Sequence, residues 1–332
     1  MSVLLITRSD DNDSVKMVAR ALTDLGLEPI RLDTDLYPIS VRLTTSFDGP
    51  VRRMLETKAG RFDLSQVSAL WYRRYFAGGR LPLELGDTRE ACVGEARRTM
   101  YGCIASMGCF QLDPLICVRK TDHKELQLQK AREFGLEIPP TLITNDPEEV
   151  KAFFHAHDGN IVTKTQSSFA IYRGGEEQVV FTTPVRKESL EQLDGLRYAP
   201  MMFQALIPKK VELRSTVTGK RVHTAYVDSQ KSELSSVDWR RDGVGLIDSW
   251  HPYELPDQVR EGLLRVTEHF GLNYAAADFI VTPDDRYVFL EINAGGEWFW
   301  LQRILPIAES LAEVLAGKAQ RIQPLDRTLE LA

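Results

Sequence analysis

Two apolar segments near the carboxyl end of the chain constrain its fold more than any other feature. Residues 277–281 and 287–293 are separated by a polar Thr-Pro-Asp-Asp turn, and this pattern predicts two antiparallel strands joined tightly. Asp278 lies in the first strand, and Glu291 and Asn293 lie in the second. Because side chains two residues apart share a strand face, Glu291 and Asn293 project together, and pairing brings Asp278 beside them.

The chemistry of these three side chains indicates what the hairpin holds. Carboxylate and amide oxygens on a rigid sheet suit Mg²⁺ that bridges nucleotide phosphates. The alternative is an ordinary hairpin with polar residues on its solvent face. The acids interrupt apolar runs that read as buried, and a buried carboxylate needs a cation or another partner. The sequence therefore predicts a metal site of Asp278, Glu291 and Asn293.

Length and composition limit the class of protein. A chain of 332 residues can bury a large core in two or three subdomains. Its formal charge is 41 − 47 = −6, and no basic tail points to nucleic acid as a partner. No apolar run is long enough for a membrane span or a signal peptide, so we expect a cytoplasmic protein. The four cysteines lie within residues 92–117 without metal-type spacing, and we expect reduced thiols.

The first third of the chain predicts a parallel sheet. Residues 3–8 read as a buried strand, residues 14–25 as a helix, and residues 29–33 as a second strand. This β-α-β pattern is typical of parallel sheets. No glycine-rich phosphate loop follows the first strand, which disfavours a dinucleotide-binding fold. A further strand is predicted over 67–72 and a helix over 85–107.

After a boundary near Val118 the chain alternates strands and helices. A helix over 122–134 is predicted, with Asp122 as its cap and Glu125 completing a capping box. The other predicted elements are strands at 141–144, 160–164, 201–207, 211–218 and 221–228, a hairpin from Tyr172 to Thr183, a polar loop at 229–245, and helices at 145–157, 257–270 and 304–315.

Two lysines occupy positions that suit phosphate binding. Lys124 lies in the first turn of the capped helix, and Lys164 ends an apolar strand just before a small polar loop. A lysine ammonium is a compact positive charge that suits phosphate. The alternative for both is a solvated surface lysine. That alternative fits Lys124 taken alone, whereas the apolar strand leading into Lys164 favours a functional role.

A third group of residues suits the rest of a nucleotide. An apolar strand end offers backbone N–H and C=O groups to the edge of a purine; this hinge consists of Gln204, Ala205, Leu206 and Ile207. Glu212 can accept hydrogen bonds from ribose hydroxyls. Arg214, two residues later on the same strand face, can clamp a transferring phosphoryl group. The alternative is an exposed edge strand with an ion pair on one face, which contributes little.

The order of these groups resembles the ATP-grasp superfamily over roughly residues 119–322. The segment from Glu291 to Trp300 is similar to the Glu-x-Asn-x-x-Gly-x-Trp-x-Trp-type ending of ATP-grasp ribosomal-peptide maturases, the graspetide (microviridin-type) macrocyclases. Three further segments agree with that family: Trp71–Tyr72–Arg73–Arg74, residues 138–145, and Asp238–Trp239–Arg240.

The resemblance implies an α/β (α+β) ATP-grasp fold with an N-terminal pre-ATP-grasp domain. We expect that domain at 1–118, a central subdomain with a lid or hairpin at 119–200, and a C-terminal subdomain with the metal ligands at 201–325. It also implies a reaction. ATP, with Mg²⁺, phosphorylates an Asp or Glu side chain of a ribosomal precursor peptide that has a leader and an acidic, Thr-rich core. A Thr, Ser or Lys side chain of the same peptide then displaces phosphate and closes an ester or amide ring.

The family assigns a role to each candidate residue. Lys124 and Lys164 would offset the charge of the α- and β-phosphates, and the hinge would contact the base. Glu212 would hold the ribose, and Arg214 would stabilise charge on the γ-phosphoryl group and the acyl phosphate. The three metal ligands would hold Mg²⁺ between the β- and γ-phosphates. In such chemistry, positioning and electrostatics provide most of the catalysis.

Arginines are the candidates for peptide recognition. The predicted hairpin with Arg173 would bind the leader, or it would form a lid over the nucleotide. Arg73, Arg74 and Arg240 suit an acidic core peptide because the guanidinium fork is bidentate; the alternative is a structural stack on a neighbouring tryptophan. Glu297, where relatives often have Gln, is expected to alter contacts with the acceptor peptide.

Family members of this kind are often homodimers, so we expect a homodimer. Two other functions remain open. One is a different ATP-grasp carboxylate–amine ligase that adds an amino acid to a peptide or protein, and the tryptophans after Asn293 disfavour it. The other is a non-catalytic nucleotide- or peptide-binding module, which the intact set of lysines and metal acids disfavours.

Overall fold

A computed structural model describes most of the chain: residues 1–166, 170–173, 176–179, 181–231, 237–242 and 245–322. An N-terminal α/β domain is followed by a central antiparallel sheet and a C-terminal five-stranded sheet. Within the described residues, no helix is long and apolar enough to cross a membrane.

The N-terminal domain contains a parallel sheet, as its sequence predicts. Its strands β2, β1, β6 and β7 lie side by side in that order, and β3, β4 and β5 form a separate antiparallel sheet that the sequence analysis missed. The bounds are β1 (Ser2–Thr7), α1 (Ser14–Asp24), β2 (Glu28–Asp33), β3 (Arg42–Ser46), β4 (Arg52–Thr57), β5 (Gly60–Asp63), β6 (Val67–Tyr72), α2 (Arg89–Ala105) and β7 (Phe110–Leu112).

Successive side chains of β1 pack alternately into two hydrophobic cores, one on each face of the sheet. Val3 and Leu5 pack on one side with α1, and Leu4 and Ile6 pack on the other side with α2. The predicted helix over 85–107 begins only at Arg89. A 3₁₀ segment precedes it, in which Gly86 has φ 53°, a conformation that no α-helix continues through.

The central region consists of α3 (Leu115–Thr121), α4 (Lys124–Glu133), β8 (Thr141–Thr144), α5 (Pro147–Ala156), β9 (Ile161–Lys164), β10 (Ala170–Arg173), β11 (Glu176–Val179), β12 (Thr183–Pro184) and β13 (Met201–Ala205). Its antiparallel sheet has the order β12-β9-β13-β8. Since β13 pairs with β8 and β9, we propose that this subdomain extends to Ala205 rather than ending at residue 200. Strands β10 and β11 form the predicted hairpin, while residues 174–175 and 180 lie outside the described residues.

The predicted cap of α4 is wrong. The residue at the N-cap is His123, and its side chain makes no capping hydrogen bond. Helix α3 ends at Thr121, so Asp122 follows that helix directly and does not occupy the cap of the next one. Helix α5, predicted over 145–157, is capped by Asp146, which accepts a hydrogen bond of 2.9 Å from the backbone N–H of Glu148.

The C-terminal region consists of β14 (Val211–Thr218), β15 (Arg221–Val227), β16 (His251–Tyr253), α6 (Asp257–Phe270), β17 (Tyr274–Val281), β18 (Tyr287–Asn293) and α7 (Ile307–Leu315). The strand order is β16-β15-β14-β17-β18, all antiparallel. Strands β17 and β18 confirm the predicted hairpin. Asp278 faces Glu291 whereas Phe279 faces Phe289, so Leu290 is the extra residue of a β-bulge.

Helices cover this sheet and tie it to the beginning of the chain. Phe270 of α6 packs with Phe279 and Phe289 of the sheet. Leu311 of α7 belongs to the same core as Val15 of α1. The first and last helices therefore share one apolar core, which fixes the N-terminal domain against the C-terminal sheet.

Candidate active site

Three neighbouring strands place an arginine and two carboxylates in one row. In the register of β14, β17 and β18, Arg214 faces Asp278 and Asp278 faces Glu291. Arg214 Nη1 donates to both carboxylate oxygens of Asp278 at 2.8 Å. Residues directly opposite on adjacent strands lie close enough for their side chains to interact. The sheet itself therefore holds this row together.

Lys124, at the start of α4, completes the row. Its Nζ lies 2.9 Å from Oε2 of Glu291 and 3.3 Å from Oδ1 of Asn293. Asn293 Nδ2 in turn donates to Oε1 of Glu291 at 3.1 Å. The structure thus brings the predicted metal ligands and the first predicted phosphate lysine to one place.

The row forms part of the wall of a cavity of about 780 Å³ between the central and C-terminal sheets. Most of the residues predicted from the sequence line this cavity: Lys124, Lys164, Gln204, Ala205, Leu206, Ile207, Glu212, Arg214, Arg240, Asp278, Glu291 and Asn293. Arg73 and Arg74 are not among the lining residues.

Burial and neighbouring charge perturb the ionisation of the row. Burial lowers the pKa of Lys164, and the charges of Lys124 and Arg240 lower it further against the opposing effect of Glu291. Burial opposes ionisation of Glu291, but Lys124 and Lys164 outweigh it and hold the pKa of that carboxyl below its usual range. Burial, helped by Glu291, raises the pKa of Asp278 in spite of Arg214. Lys164 therefore lies where an added anion would stabilise its charge.

The donor set fits Mg²⁺ as the sequence analysis expects. Asp278 and Glu291 supply two carboxylates and Asn293 supplies one amide oxygen. Mg²⁺ is commonly held by one or two carboxylates together with substrate phosphates. Within the described residues, no group of three His, Cys, Asp or Glu side chains could hold a metal ion by itself.

The hinge is ordered by the central sheet. The buried side chain of Gln204 donates to Oγ1 of Thr141 at 3.0 Å. The backbone N–H groups of Ala205 and Leu206 donate to the carbonyls of Pro140 and Asn160. Among the described residues, the N–H of Ile207 has no acceptor, so it is available to a ligand.

The sequence analysis missed the residues that hold Glu212. Its Oε1 accepts from Lys209 Nζ at 3.0 Å and from Ser229 Oγ at 2.6 Å. Burial raises the pKa of Glu212, while Lys209 and Ser229 oppose that shift. Within the described chain Oε2 carries no hydrogen bond, and it is therefore open to ribose hydroxyls. The position of Lys209, three residues before Glu212, was the available signal.

Gln127 is a second missed residue. Strand β18 lies at the edge of its sheet, and its outer backbone groups need partners. Gln127 Nε2 donates to the carbonyl of Ile292 at 2.8 Å, and its Oε1 accepts from the N–H of Ile292 at 3.0 Å. Ile292 lies between Glu291 and Asn293, so Gln127 fixes both against α4.

The four arginines predicted to bind peptide have different surroundings. Arg73 is buried and contacts Glu297, Asp11 and Ser14, which favours a structural role; its part in peptide binding stays a prediction. Arg74 contacts the same two acids but is partly exposed. Arg240 is about half exposed and binds Asp238 through two hydrogen bonds of 2.7 and 2.8 Å. The side chain of Arg173 lies outside what the structure describes.

Glu297 contacts the N-terminal domain. Burial opposes its ionisation, but Arg73 outweighs that effect with the help of Asn12 and Arg74, and the pKa of Glu297 is lowered. The sequence analysis expects this glutamate to affect peptide contacts, and its partners lie more than two hundred residues away along the chain.

Comparison with known proteins places this chain in a family. A family model described as the MvdD pre-ATP grasp domain matches residues 2–119. A search of curated proteins finds no match. The solved structure of macrocyclase MdnC from Microcystis aeruginosa MRC, bound with precursor peptide MdnA, is 42% identical, with 96% of this chain and 100% of that chain covered and a TM-score of 0.86.

Two further structures agree. A RiPP-associated ATP-grasp ligase from Chryseobacterium gregarium, in complex with ADP and a leader and core peptide, is 41% identical, with 99% of each chain covered and a TM-score of 0.91. Macrocyclase MdnB from Microcystis aeruginosa MRC is 36% identical, with 95% of this chain and 98% of that chain covered and a TM-score of 0.78. With this similarity over almost its whole length, the chain belongs to the ATP-grasp ribosomal-peptide maturases of the graspetide (microviridin-type) macrocyclase family.

Proposed function

We propose that this chain is an ATP-dependent ligase that phosphorylates Asp or Glu side chains of a ribosomal precursor peptide and closes side-chain macrocycles. One observation carries the proposal: the row Arg214–Asp278–Glu291 and the two lysines meet in one cavity of a chain that aligns end to end with macrocyclases. That constellation combines anion-binding groups with metal ligands, as phosphoryl transfer requires.

Each side chain has a task in orienting the nucleotide. Lys124 and Lys164 neutralise the phosphates, and Glu212 accepts from the ribose. Asp278, Glu291 and Asn293 would hold Mg²⁺, which would supply positive charge to the phosphates of the nucleotide. Lys124 already holds the pKa of Glu291 below its usual range, whereas burial raises the pKa of Asp278 in spite of Arg214.

Arg214 stabilises the charge that develops during transfer. A peptide carboxylate oxygen bonds to the γ-phosphorus and the bond to ADP breaks, which gives an acyl phosphate. The oxygen or nitrogen of a Thr, Ser or Lys side chain then bonds to the acyl carbon, loses its proton, and phosphate leaves. Each ring therefore removes the elements of one water from the peptide. The fork of Arg214, buried beside Asp278, is preorganised for both steps.

Peptide recognition is proposed for the hairpin and for two arginines. The β10–β11 hairpin with Arg173 would bind the leader, and the partly exposed side chains of Arg74 and Arg240 would meet an acidic core. We also propose that the protein is cytoplasmic and that it forms a homodimer. Sedimentation of the purified protein would test the homodimer.

Mass spectrometry of a co-expressed precursor peptide tests the function. We expect the loss of one water per ring with the wild type and no loss with Asp278→Ala or Glu291→Ala, while leader binding persists. Asp284→Ala is the matched control, because Asp284 lies in the turn of the same hairpin and its side chain contacts Thr282 and Arg286 within that turn. Equal dehydration by all variants would refute the metal assignment, and ATP-independent dehydration would refute the ligase assignment.

A further inference from the structure

Glu297 is held by the N-terminal domain although it follows the metal-ligand strand. Its Oε2 accepts from Asn12 Nδ2 at 2.6 Å and from Arg73 Nη2 at 2.7 Å. Its Oε1 accepts from Arg74. A carboxylate with three charged or polar donors has one fixed position.

The backbone of the same residue contacts the arginine of the row. The carbonyl oxygen of Glu297 accepts from Arg214 Nη2 at 3.0 Å and from Nε at 3.3 Å. The other side of that guanidinium, Nη1, binds Asp278. All three guanidinium nitrogens are therefore engaged, and the plane of the fork is set by Asp278 on one side and by this carbonyl on the other.

The segment between Asn293 and Glu297 cannot shift freely. The N–H of Gly296 donates to the carbonyl of Asn293 at 3.2 Å, and the carbonyl of Gly296 accepts from the hydroxyl of Tyr274. Arg73 Nη1 also donates to the carbonyl of Gly295 at 3.4 Å, and the carboxylate of Glu297 is a further anchor beside its own carbonyl.

We propose that Glu297 is a positioning residue: its carboxylate, held by Asn12, Arg73 and Arg74, fixes the carbonyl that orients Arg214 for phosphoryl transfer. This inference deepens the proposed function and rests on it. It also gives the N-terminal domain a task in the reaction, because that domain supplies all three side chains that hold the carboxylate.

Turnover is the first readout. Glu297→Ala removes all three hydrogen bonds of the carboxylate, and a misplacement of Arg214 by roughly 1 Å should lower kcat about 100-fold. Glu297→Gln keeps one acceptor for the arginines and should recover part of that loss. Glu268→Gln is the matched control, since Glu268 is similarly half-buried, pairs with Lys220 and lies away from the cavity.

A double-mutant cycle with Arg214→Lys separates positioning from a general structural effect. If Glu297 acts through Arg214, adding Glu297→Ala to Arg214→Lys should lower kcat by less than about threefold further. A full additional loss of about 100-fold would overturn the proposal. If the alanine variant fails to fold, Glu297→Gln in the same cycle carries the test.

A second measurement does not depend on macrocyclisation. Without peptide, Glu297→Gln should weaken binding of a non-hydrolysable ATP analogue several-fold relative to wild type and leave ADP binding unchanged, because the proposed function assigns Arg214 to the γ-phosphoryl group, which ADP lacks. Equal effects on the two nucleotides would overturn the positioning role. A wild type that binds both nucleotides but never dehydrates the precursor would instead refute the proposed function.

Discussion

Substitution of Gly296 by alanine would place a Cβ atom 2.4 Å from Cβ of Ala276 and 2.7 Å from Nη2 of Arg214. Carbon atoms in contact normally lie about 3.5–4.0 Å apart, so one of the neighbours must move by roughly 1 Å. Ala276 belongs to the buried strand β17 and cannot yield easily. We therefore expect the displacement to fall on Arg214 and on the loop that carries residue 296.

Two magnitudes follow from this geometry. Overpacking of a well-packed site costs about 1–3 kcal/mol, which thermal unfolding should detect as a modest loss of stability. Displacement of the arginine by roughly 1 Å should lower kcat about 100-fold. The assay is the rate of water loss from the precursor peptide by mass spectrometry, with ADP release measured in parallel.

Gly295→Ala provides the matched control, because a Cβ on the adjacent residue would meet only the carbonyl of Arg73, at an ordinary 3.9 Å. We expect this variant to retain turnover within about threefold of wild type. If Gly296→Ala is equally active, then the loop does not hold Arg214 in the way described here.

Three further predictions follow. Lys164→Met should raise the KM for ATP about 10-fold or more, since a charged hydrogen bond contributes ~1.5–3 kcal/mol. The unfolding temperature should not fall, because burial already lowers the pKa of Lys164. An unchanged KM for ATP in ADP-release assays would contradict this prediction. Glu212→Gln should weaken ATP binding about 10-fold in calorimetric titration, and wild-type affinity would refute the assignment of Glu212 to the ribose. The variant should also be less stable, because the buried Lys209 loses its carboxylate partner. Burial raises the pKa of Asp113 to about 7 from 3.8, so the native state retains a proton that the unfolded state releases. The free energy of unfolding should therefore fall by up to roughly 4 kcal/mol between about pH 4 and pH 7. Asp113→Asn should flatten this pH dependence in urea unfolding, and equal pH dependence of the variant and the wild type would refute it.

Local patterns in the sequence predicted the elements, and the hairpin around the metal acids is the clearest case. The alternation of residue types over 287–293 shows which side chains share a strand face, and it can be read from that segment alone. Strands β3 to β5 were missed because they bury few side chains, and their sequences therefore do not alternate between buried and exposed residue types. In Arg52–Thr57, for example, only Leu55 is fully buried. The prediction that Asp122 caps α4 was wrong because the residue types around Asp122 do not show that α3 ends one residue earlier.

Pairing between distant strands could not be predicted. The sequence indicates that Glu212 and Arg214 share a face, but nothing local says that β14 lies beside β17, and this adjacency is what places Arg214 against Asp278. Glu297 was singled out because relatives often have Gln at this position, yet its partners Asn12 and Arg73 are set by the packing of two domains. Contacts of that range depend on the whole fold.

The extra residue at Leu290 has a consequence for how this hairpin can vary. Without the bulge, the pairing of Phe279 with Phe289 would set Asp278 opposite Leu290, and Glu291 and Asn293 would turn to the other surface of the sheet, because strand geometry repeats every second position. Exchanging one amino acid for another leaves the number of residues intact, whereas gaining a single codon between Phe289 and Glu291 would move Glu291 out of its place opposite Asp278. The length of the hairpin is therefore as strict a requirement for its chemistry as the identity of its acids.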